Sequence, residues 1–297
     1  MRRALVVIAV ALVATGCADA RSGTLGPAPT AVPPAEHTVG PTTPAPPSTT
    51  GTPPSRPSPV PATPTTRPTD PAPTGTITLQ LWFVSAGRIV PARRTRPATI
   101  ATSRLALTEL VAGPSPAEAA AGLVTLLPSG TQVVRIADGL AVISPPSEFT
   151  AGDPETRRLR QAQVVYTLTQ FPTVRRVAFG AGDQSVSRAD YADLLPAIVV
   201  IAPAIGQRIT SPVTVAGTAQ VFEATVSIRI LDSAGREIGT AFTTASCGTG
   251  CRGDYRATVG YRAATTQSGT IDVYEVSPRD GSRINVVAVP VTLAASR

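Results

Sequence analysis

Proline decides how much of this chain can fold. Of its 31 prolines, 17 fall between Pro27 and Pro73, in a stretch that is otherwise nearly all Thr, Ala, Ser and Gly. Proline removes a backbone donor and fixes φ. Runs such as Pro44-Ala45-Pro46-Pro47-Ser48-Thr49-Thr50 bury too little apolar surface to offset the entropy of ordering. Residues 17–76 are therefore expected to form a disordered tether, and any packed core must come from residues 77–297. Stretched as polyproline II, residues 18–76 reach at most ~180 Å, and as a flexible coil they average about 45 Å. Both lengths suit a spacer, whose Thr and Ser are also candidate acceptors for O-linked sugars.

The tether is preceded by an export signal over residues 1–16. Arg2 and Arg3 give a positive start, Leu5 to Val13 an apolar core, and Ala14-Thr15-Gly16 small residues at a cleavage point. The core is too short to span a bilayer, which needs about 20 apolar residues. A plain secretory signal would need no more than this. The next residue, however, is Cys17, and Ala14-Thr15-Gly16-Cys17 resembles the bacterial lipobox, with Ala14 where Leu is commonest. That resemblance implies acylation of Cys17 and a lipid anchor on the outer face of the cell membrane, where each buried CH₂ contributes about 0.8 kcal/mol. Cysteine counting agrees. Of three cysteines, giving Cys17 to lipid leaves Cys247 and Cys251 to pair as a disulfide in an oxidising compartment.

All 26 basic residues are Arg, and the net charge of +7 divides into +2 for residues 1–76, +3 for 77–195 and +2 for 196–297. No stretch concentrates charge as phosphate-backbone binding requires, so a nucleic-acid partner is not expected.

Residues 77–195 mix strand and helix patterns. Ile77 to Val84 reads as a buried strand, with Arg88-Ile89-Val90 after Gly87 as its hairpin partner. Residues 98–112 carry apolar groups at helical spacing and end at Gly113-Pro114. Ser115-Pro116-Ala117-Glu118 is a capping box with proline at the first helical position. Strands at 132–136 and 140–143 meet across Asp138-Gly139. Asp153 caps a long helix that runs from Pro154 to about Phe171 and closes at Pro172. Val174 to Phe179 reads as a last central strand, and Ser187 to Leu195 as a short closing helix. The expected fold is an α+β sandwich of one sheet and a few helices.

Four segments carry a family resemblance: Leu81-Trp82-Phe83-Val84, Leu110 to Pro114, Leu127 to Thr131 and, above all, Gln163 to Val174. Together they resemble the GerMN domain, named after a sporulation and spore-germination lipoprotein, across essentially all of 77–195. The resemblance implies an extracytoplasmic interaction domain of the cell envelope, with no catalytic residues to carry over.

Over residues 197–294 the apolar period becomes two. Seven strand-like runs, at 198–201, 213–217, 225–231, 237–243, 255–261, 270–276 and 284–293, are separated by turn signals such as Pro278-Arg279-Asp280-Gly281. That count in about 100 residues is the pattern of an immunoglobulin-like all-β sandwich. Ser211 to Ala219, Val221 to Ala224 and Val276 to Ser282 resemble the immunoglobulin-like domain of bacterial spore germination proteins, a natural C-terminal partner for GerMN. Cys247 and Cys251 enclose Gly-Thr-Gly. As a structural staple such a small ring contributes about 2 kcal/mol at most. A redox pair and a metal site are the sharper alternatives, but a metal would want more ligands.

The inventory for chemistry is short. His37, the only histidine, lies in the tether, and the chain has no Lys. Triads, zinc sites and Schiff bases are therefore not expected in the folded part, nor is any cofactor or metal. Carboxylate pairs are the remaining catalytic candidates, since glycan hydrolysis needs only two acids. Asp190 with Asp193 and Glu223 with Glu275 are the nominees. Tyr166 reads as core, and Arg175-Arg176 as an exposed strand end.

The expectation is a non-enzymatic lipoprotein that binds peptidoglycan or an envelope protein. An accessory of a signalling or transport system, recognising a membrane protein or small ligand, is the first alternative. A carboxylate-dependent glycan hydrolase is the second.

Overall fold

The structure, a computed structural model, describes residues 74–180 and 184–296. The export signal and residues 17–73 of the expected tether, Cys17 included, lie outside the described residues, while Thr76, the last residue assigned to the tether, opens the first strand.

The chain enters through a long hairpin, β1 (Thr76–Ser85) and β2 (Arg88–Pro97), in unbroken register from Thr76↔Pro97 to Ser85↔Arg88. Its turn holds Ala86 and Gly87 at φ 48° and 72°, the two left-handed positions that match strand twist in a two-residue turn. β2 is much longer than the three residues expected, so α1 (Thr102–Ala112) begins later than predicted. α2 (Pro116–Ala120) starts on the predicted capping box, in which the Ser115 side chain and Glu118 satisfy each other's backbone N–H groups. β3 (Gln132–Ala137) and β4 (Leu140–Ser144) turn through Asp138-Gly139. α3 (Pro154–Leu168) is capped by the Asp153 carboxylate, which accepts the Thr156 N–H at 2.8 Å. The chain then enters β5 (Arg176–Phe179) and β6 (Ser185–Val186).

The structure corrects the single-sheet expectation. β1 and β2 form a sheet of their own, while β3-β4-β5-β6 form a second one with β4 and β5 parallel. The physical reason is that the outer edge of β1 is already satisfied. Gln170 brackets Gln80, accepting its N–H at 2.8 Å and donating to its carbonyl at 2.9 Å. The Thr167 hydroxyl accepts the Trp82 N–H at 3.0 Å, and Gln163 donates to the Trp82 carbonyl at 3.1 Å. Val84 exchanges both bonds with Val124. From Gln80 to Val84 every second residue of the edge is therefore paired, so no further strand can extend the sheet along that stretch. β5 is central but is followed by the short β6, and the short closing helix is 3₁₀ in type, Arg188–Leu194, with a kink at Tyr191.

α1 and α3 pack on β1 and on each other. Leu79, Leu81, Phe83, Ile89, Leu107, Leu110, Ile143 and Leu168 are fully buried there. Burying each such side chain contributes about 1.5–3 kcal/mol.

The remainder is a two-sheet sandwich. β11 (Glu237–Thr244), β10 (Thr225–Leu231), β13 (Gln267–Val276), β14 (Arg283–Leu293) and β8 (Arg208–Ile209) form one sheet. β12 (Gly253–Val259), β9 (Val213–Ala219) and β7 (Ile198–Ala202) form the other. All seven predicted strands are present, and β8 is an addition. Burial alternates residue by residue along β9 and β12, as the period of two requires.

β7 serves both cores. Ile198 and Val200 face the sandwich core, and Val199 between them packs into the first core. Arg252 closes the same seam by donating to the carbonyls of Pro196 (2.6 Å) and Ala197 (3.4 Å) in the connecting segment.

Candidate functional site

The residues nominated for catalysis hold local structure. Asp190 accepts the Ser187 N–H (2.7 Å) and hydroxyl (3.0 Å), bonds that keep its carboxyl below the usual range. Asp193 pairs with Arg158 at 2.9 Å, and that guanidinium holds its carboxyl low as well. Glu275 is buried and accepts the Phe222 N–H (2.9 Å) and the Asn285 side-chain amide (2.7 Å). Glu223 is exposed, and its own N–H goes to the Thr249 hydroxyl at 3.3 Å. The structure therefore engages Asp190, Asp193 and Glu275 separately, bonds Glu223 through its backbone, and joins neither pair by a hydrogen bond. Tyr166 is core, its ring 4.8 Å from that of Trp82, and Arg175 and Arg176 are exposed. Among the described residues, no three His, Cys, Asp or Glu side chains are grouped to hold a metal ion.

A different constellation lies between the start of α1 and β3. A cleft of about 660 Å³ is lined by Ile100 to Arg104, Val133 to Gly139, Thr173 and Arg175. Ile100 is 92% exposed and Val134 56%. The two aliphatic side chains form a small apolar patch at the mouth of the cleft. Arg104, Arg135 and Arg175 surround them, against a single acid, Asp138. Arg175 is positioned by its bond to the Asp138 carbonyl (3.1 Å) and by lying flat on Gly139, whose φ of 82° and bare Cα leave the room. Arginine is among the residues on which binding energy concentrates at interfaces. The constellation has no periodic signature. Val134 and Ile100 read in sequence as ordinary strand and helix positions, and only the folded chain brings them to one opening.

One end of the sandwich holds a second cluster. Glu223, Ala224 and Asn285 adopt left-handed φ of 51°, 59° and 52°, each costing of order 1 kcal/mol or more for a side chain that is not glycine. The Glu275 carboxylate fixes this end from beneath, leaving Phe222 47% exposed and Ile284, its β14 register partner, 38% exposed. Cys247 and Cys251 form a disulfide beside it, with Cα atoms 5.7 Å apart. The ring immediately precedes Arg252, the residue that grips the connecting segment.

The comparisons with known proteins respect the same division. Residues 72–187 match the Germane family, described as sporulation and spore germination. Residues 197–282 match Gmad2, the immunoglobulin-like domain of bacterial spore germination. The lipoprotein LpqB of Cutibacterium acnes is 32% identical over 146 residues, covering 43% of this chain and 24% of that protein. The chain thus spans about a quarter of that relative's length. Among solved structures, the tandem GerMN domains of the sporulation protein GerM from Bacillus subtilis align at 18% identity and a TM-score of 0.34, covering 75% of this chain and 62% of that one. The first GerMN domain of the same protein aligns at 25% identity and a TM-score of 0.31, covering 37% and 86%. The chain carries a GerMN-type domain of the sporulation and spore germination family, followed by the immunoglobulin-like domain of bacterial spore germination.

Proposed function

We propose that this chain is a non-catalytic lipoprotein, anchored by acylated Cys17 to the outer face of the cell membrane, that binds a component of the envelope through the α1–β3 cleft. In this reading residues 1–16 are the export signal and 17–76 the tether. Residues 77–195 are the GerMN domain that makes contact, and 197–294 the sandwich that backs it, stapled at Cys247–Cys251. The cleft carries the proposal: two exposed aliphatic side chains and three arginines are gathered at one opening by α1, β3 and the short segments that lead into α1 and β5. The partner class is peptidoglycan or an envelope protein, and the name of the LpqB relative supports lipid anchoring. The glycan-hydrolase alternative has less support, because Asp190, Asp193 and Glu275 are occupied in a cap, an ion pair and a buried turn.

A second reading, an accessory to a signalling or transport system, draws on the sandwich end. Phe222 and Ile284 beside a strained turn offer an apolar contact better suited to a protein than to a glycan polymer.

Co-sedimentation of the full chain with purified homologous cell wall tests the first reading. Saturable binding that survives physiological salt is expected. Binding that disappears as salt rises would mark the unspecific attraction of a basic protein to an anionic polymer, and attention would pass to the sandwich end.

A further inference from the structure

We infer that the free edge of β14 receives one extended, mainly apolar and acid-bearing segment of a partner protein, which adds to the sandwich as a further strand. The first observation is an incomplete ladder. β14 pairs with β13 along one side, whereas on the other side β8 meets it only at Thr292 and Leu293. There the Gly206 N–H donates to the Pro290 carbonyl at 2.8 Å, and the Thr292 N–H to the Gln207 carbonyl at 2.9 Å. Backbone groups alternate sides along a strand. Val287 and Val289 face β13, as register partners of Val273 and Ile271. The Val286 carbonyl and both backbone groups of Ala288 therefore point to the β8 side, beyond the reach of β8, and both residues are exposed. The chain itself adds a strand to this edge and stops partway.

The second observation is what lies beside the vacant stretch. A slot of about 380 Å³ is lined by residues 286–289 of β14, 90–93 of β2, 198–201 of β7 and 203–205. With strands ~4.8 Å apart, sheets ~10 Å apart and a rise of ~3.3 Å per residue, that space holds about two or three extended residues. Walls on both sides admit a single chain rather than the edge of another sheet. Asn285, at φ 52°, and Pro290, which has no N–H, bound the free stretch at either end. The occupant's chemistry follows from the lining. Alternating carbonyl and N–H groups at ladder spacing are met by a peptide backbone, whereas an acyl chain would leave them unpaired. Val90, Leu123, Ile198, Ile201 and Ile205 favour apolar side chains. Arg88 and Arg93 line the slot and no Asp or Glu does, which selects an acidic residue.

This site is separate from the α1–β3 cleft, and either can fail alone. The test is fluorescence polarisation of the full chain, purified in detergent, with a labelled hexapeptide Glu-Val-Thr-Val-Thr-Val as probe. Saturable binding is expected, abolished in a fully N-methylated twin that keeps the side chains and loses the donors, and several-fold weaker in a twin with Lys for Glu. Ala288→Pro removes the outward N–H of the edge and should weaken binding about tenfold. Ile100→Asp, at the cleft, should leave it unchanged. Because Ala288→Pro can also disturb β14, hydrogen exchange supplies a second readout, in which saturating peptide slows the Ala288 amide of the wild type several-fold. No saturable binding, equal binding of the N-methylated twin, or an Ala288 amide that exchanges as fast at saturation would overturn the inference. So would loss of binding in Ile100→Asp, which would move the peptide to the cleft. Self-association of the free chain that Ala288→Pro abolishes would assign the edge to a second copy and overturn the partner.

Discussion

The two halves of the molecule finish their sheets differently. In the sandwich, strand meets strand and backbone bonds backbone across two sheets. In the GerMN half, the open edge of β1 is closed by side chains at three positions along and just beyond α3: Gln163, Thr167 and Gln170. A backbone ladder distributes its bonds over many residues and tolerates most side chains on its solvent face. A side-chain ladder concentrates the same task in a few buried amides. The GerMN half should therefore be the more fragile to single polar substitutions, and the sandwich the more fragile to apolar ones.

The sharpest way to break that contrast is Gln163→Leu. It leaves the Trp82 carbonyl and the Leu126 N–H without partners, at about 1–3 kcal/mol each. Denaturant unfolding should show a loss of about 2–5 kcal/mol, against ~1 kcal/mol for Asp272→Asn, which weakens the partly buried pair with Arg229 in the sandwich. Equal losses would mean that the side-chain ladder is incidental.

Next comes the seam. Arg252→Gln shortens the donor that reaches Pro196 and Ala197 and should cost about 1–2 kcal/mol. Reducing the neighbouring Cys247–Cys251 ring should cost about 2 kcal/mol at most. If the seam couples the halves, calorimetry will record one transition in the wild type and two in Arg252→Gln. One transition in both proteins would assign the coupling to β7 alone.

The pH response is smaller and shared by both halves. Residues 77–297 contain no His or Lys, so stability should be flat from about pH 5 to about pH 9. Asp153, Asp190, Asp232 and Asp280 are held below the usual carboxylate range, chiefly by N–H and hydroxyl donors. A depressed carboxyl binds fewer protons folded than unfolded, so its stabilisation is present above about pH 4 and is lost as pH falls further. Burial pushes the Tyr191 hydroxyl up to about 12. A raised phenol binds more protons folded, so stability declines as pH climbs from about 10 toward that value. A slope near pH 6.5 in a denaturation series would contradict this assignment.

The smallest effect sharpens the cleft. Ala101→Asp supplies the missing cap of α1 and should raise stability by about 0.5–1 kcal/mol. A higher melting temperature by calorimetry checks this, and an unchanged one would mean that the start of α1 is already satisfied.

How far the sequence could be read depends on the same contrast. The sandwich was legible because alternation maps directly onto burial. All seven strands were found, and only β8, two residues long, gave too little pattern to detect. Caps and turns were legible where one residue type performs one local task, as at Ser115, Asp153 and Asp138-Gly139. The division of the GerMN half into two sheets was not, because Gln163, Thr167 and Gln170 read as polar helix positions until β1 is placed against them. The cleft escaped for a similar reason. The start of α1, Val134 on β3 and Arg175 before β5 are far apart in sequence, and nothing in their spacing announces that they share an opening. Arg252 was passed over because its acceptors lie more than 50 residues away.

The most direct test of the central claim compares wall co-sedimentation of the full chain with an Ile100→Asp, Val134→Asp double variant and a Phe222→Ser variant at physiological salt. Both altered surfaces are exposed, so the folds should persist, and circular dichroism checks that they do. The account predicts saturable binding by the wild type and by Phe222→Ser, with a loss of at least tenfold in the cleft variant. Equal binding by all three proteins, or loss only in Phe222→Ser, would contradict it.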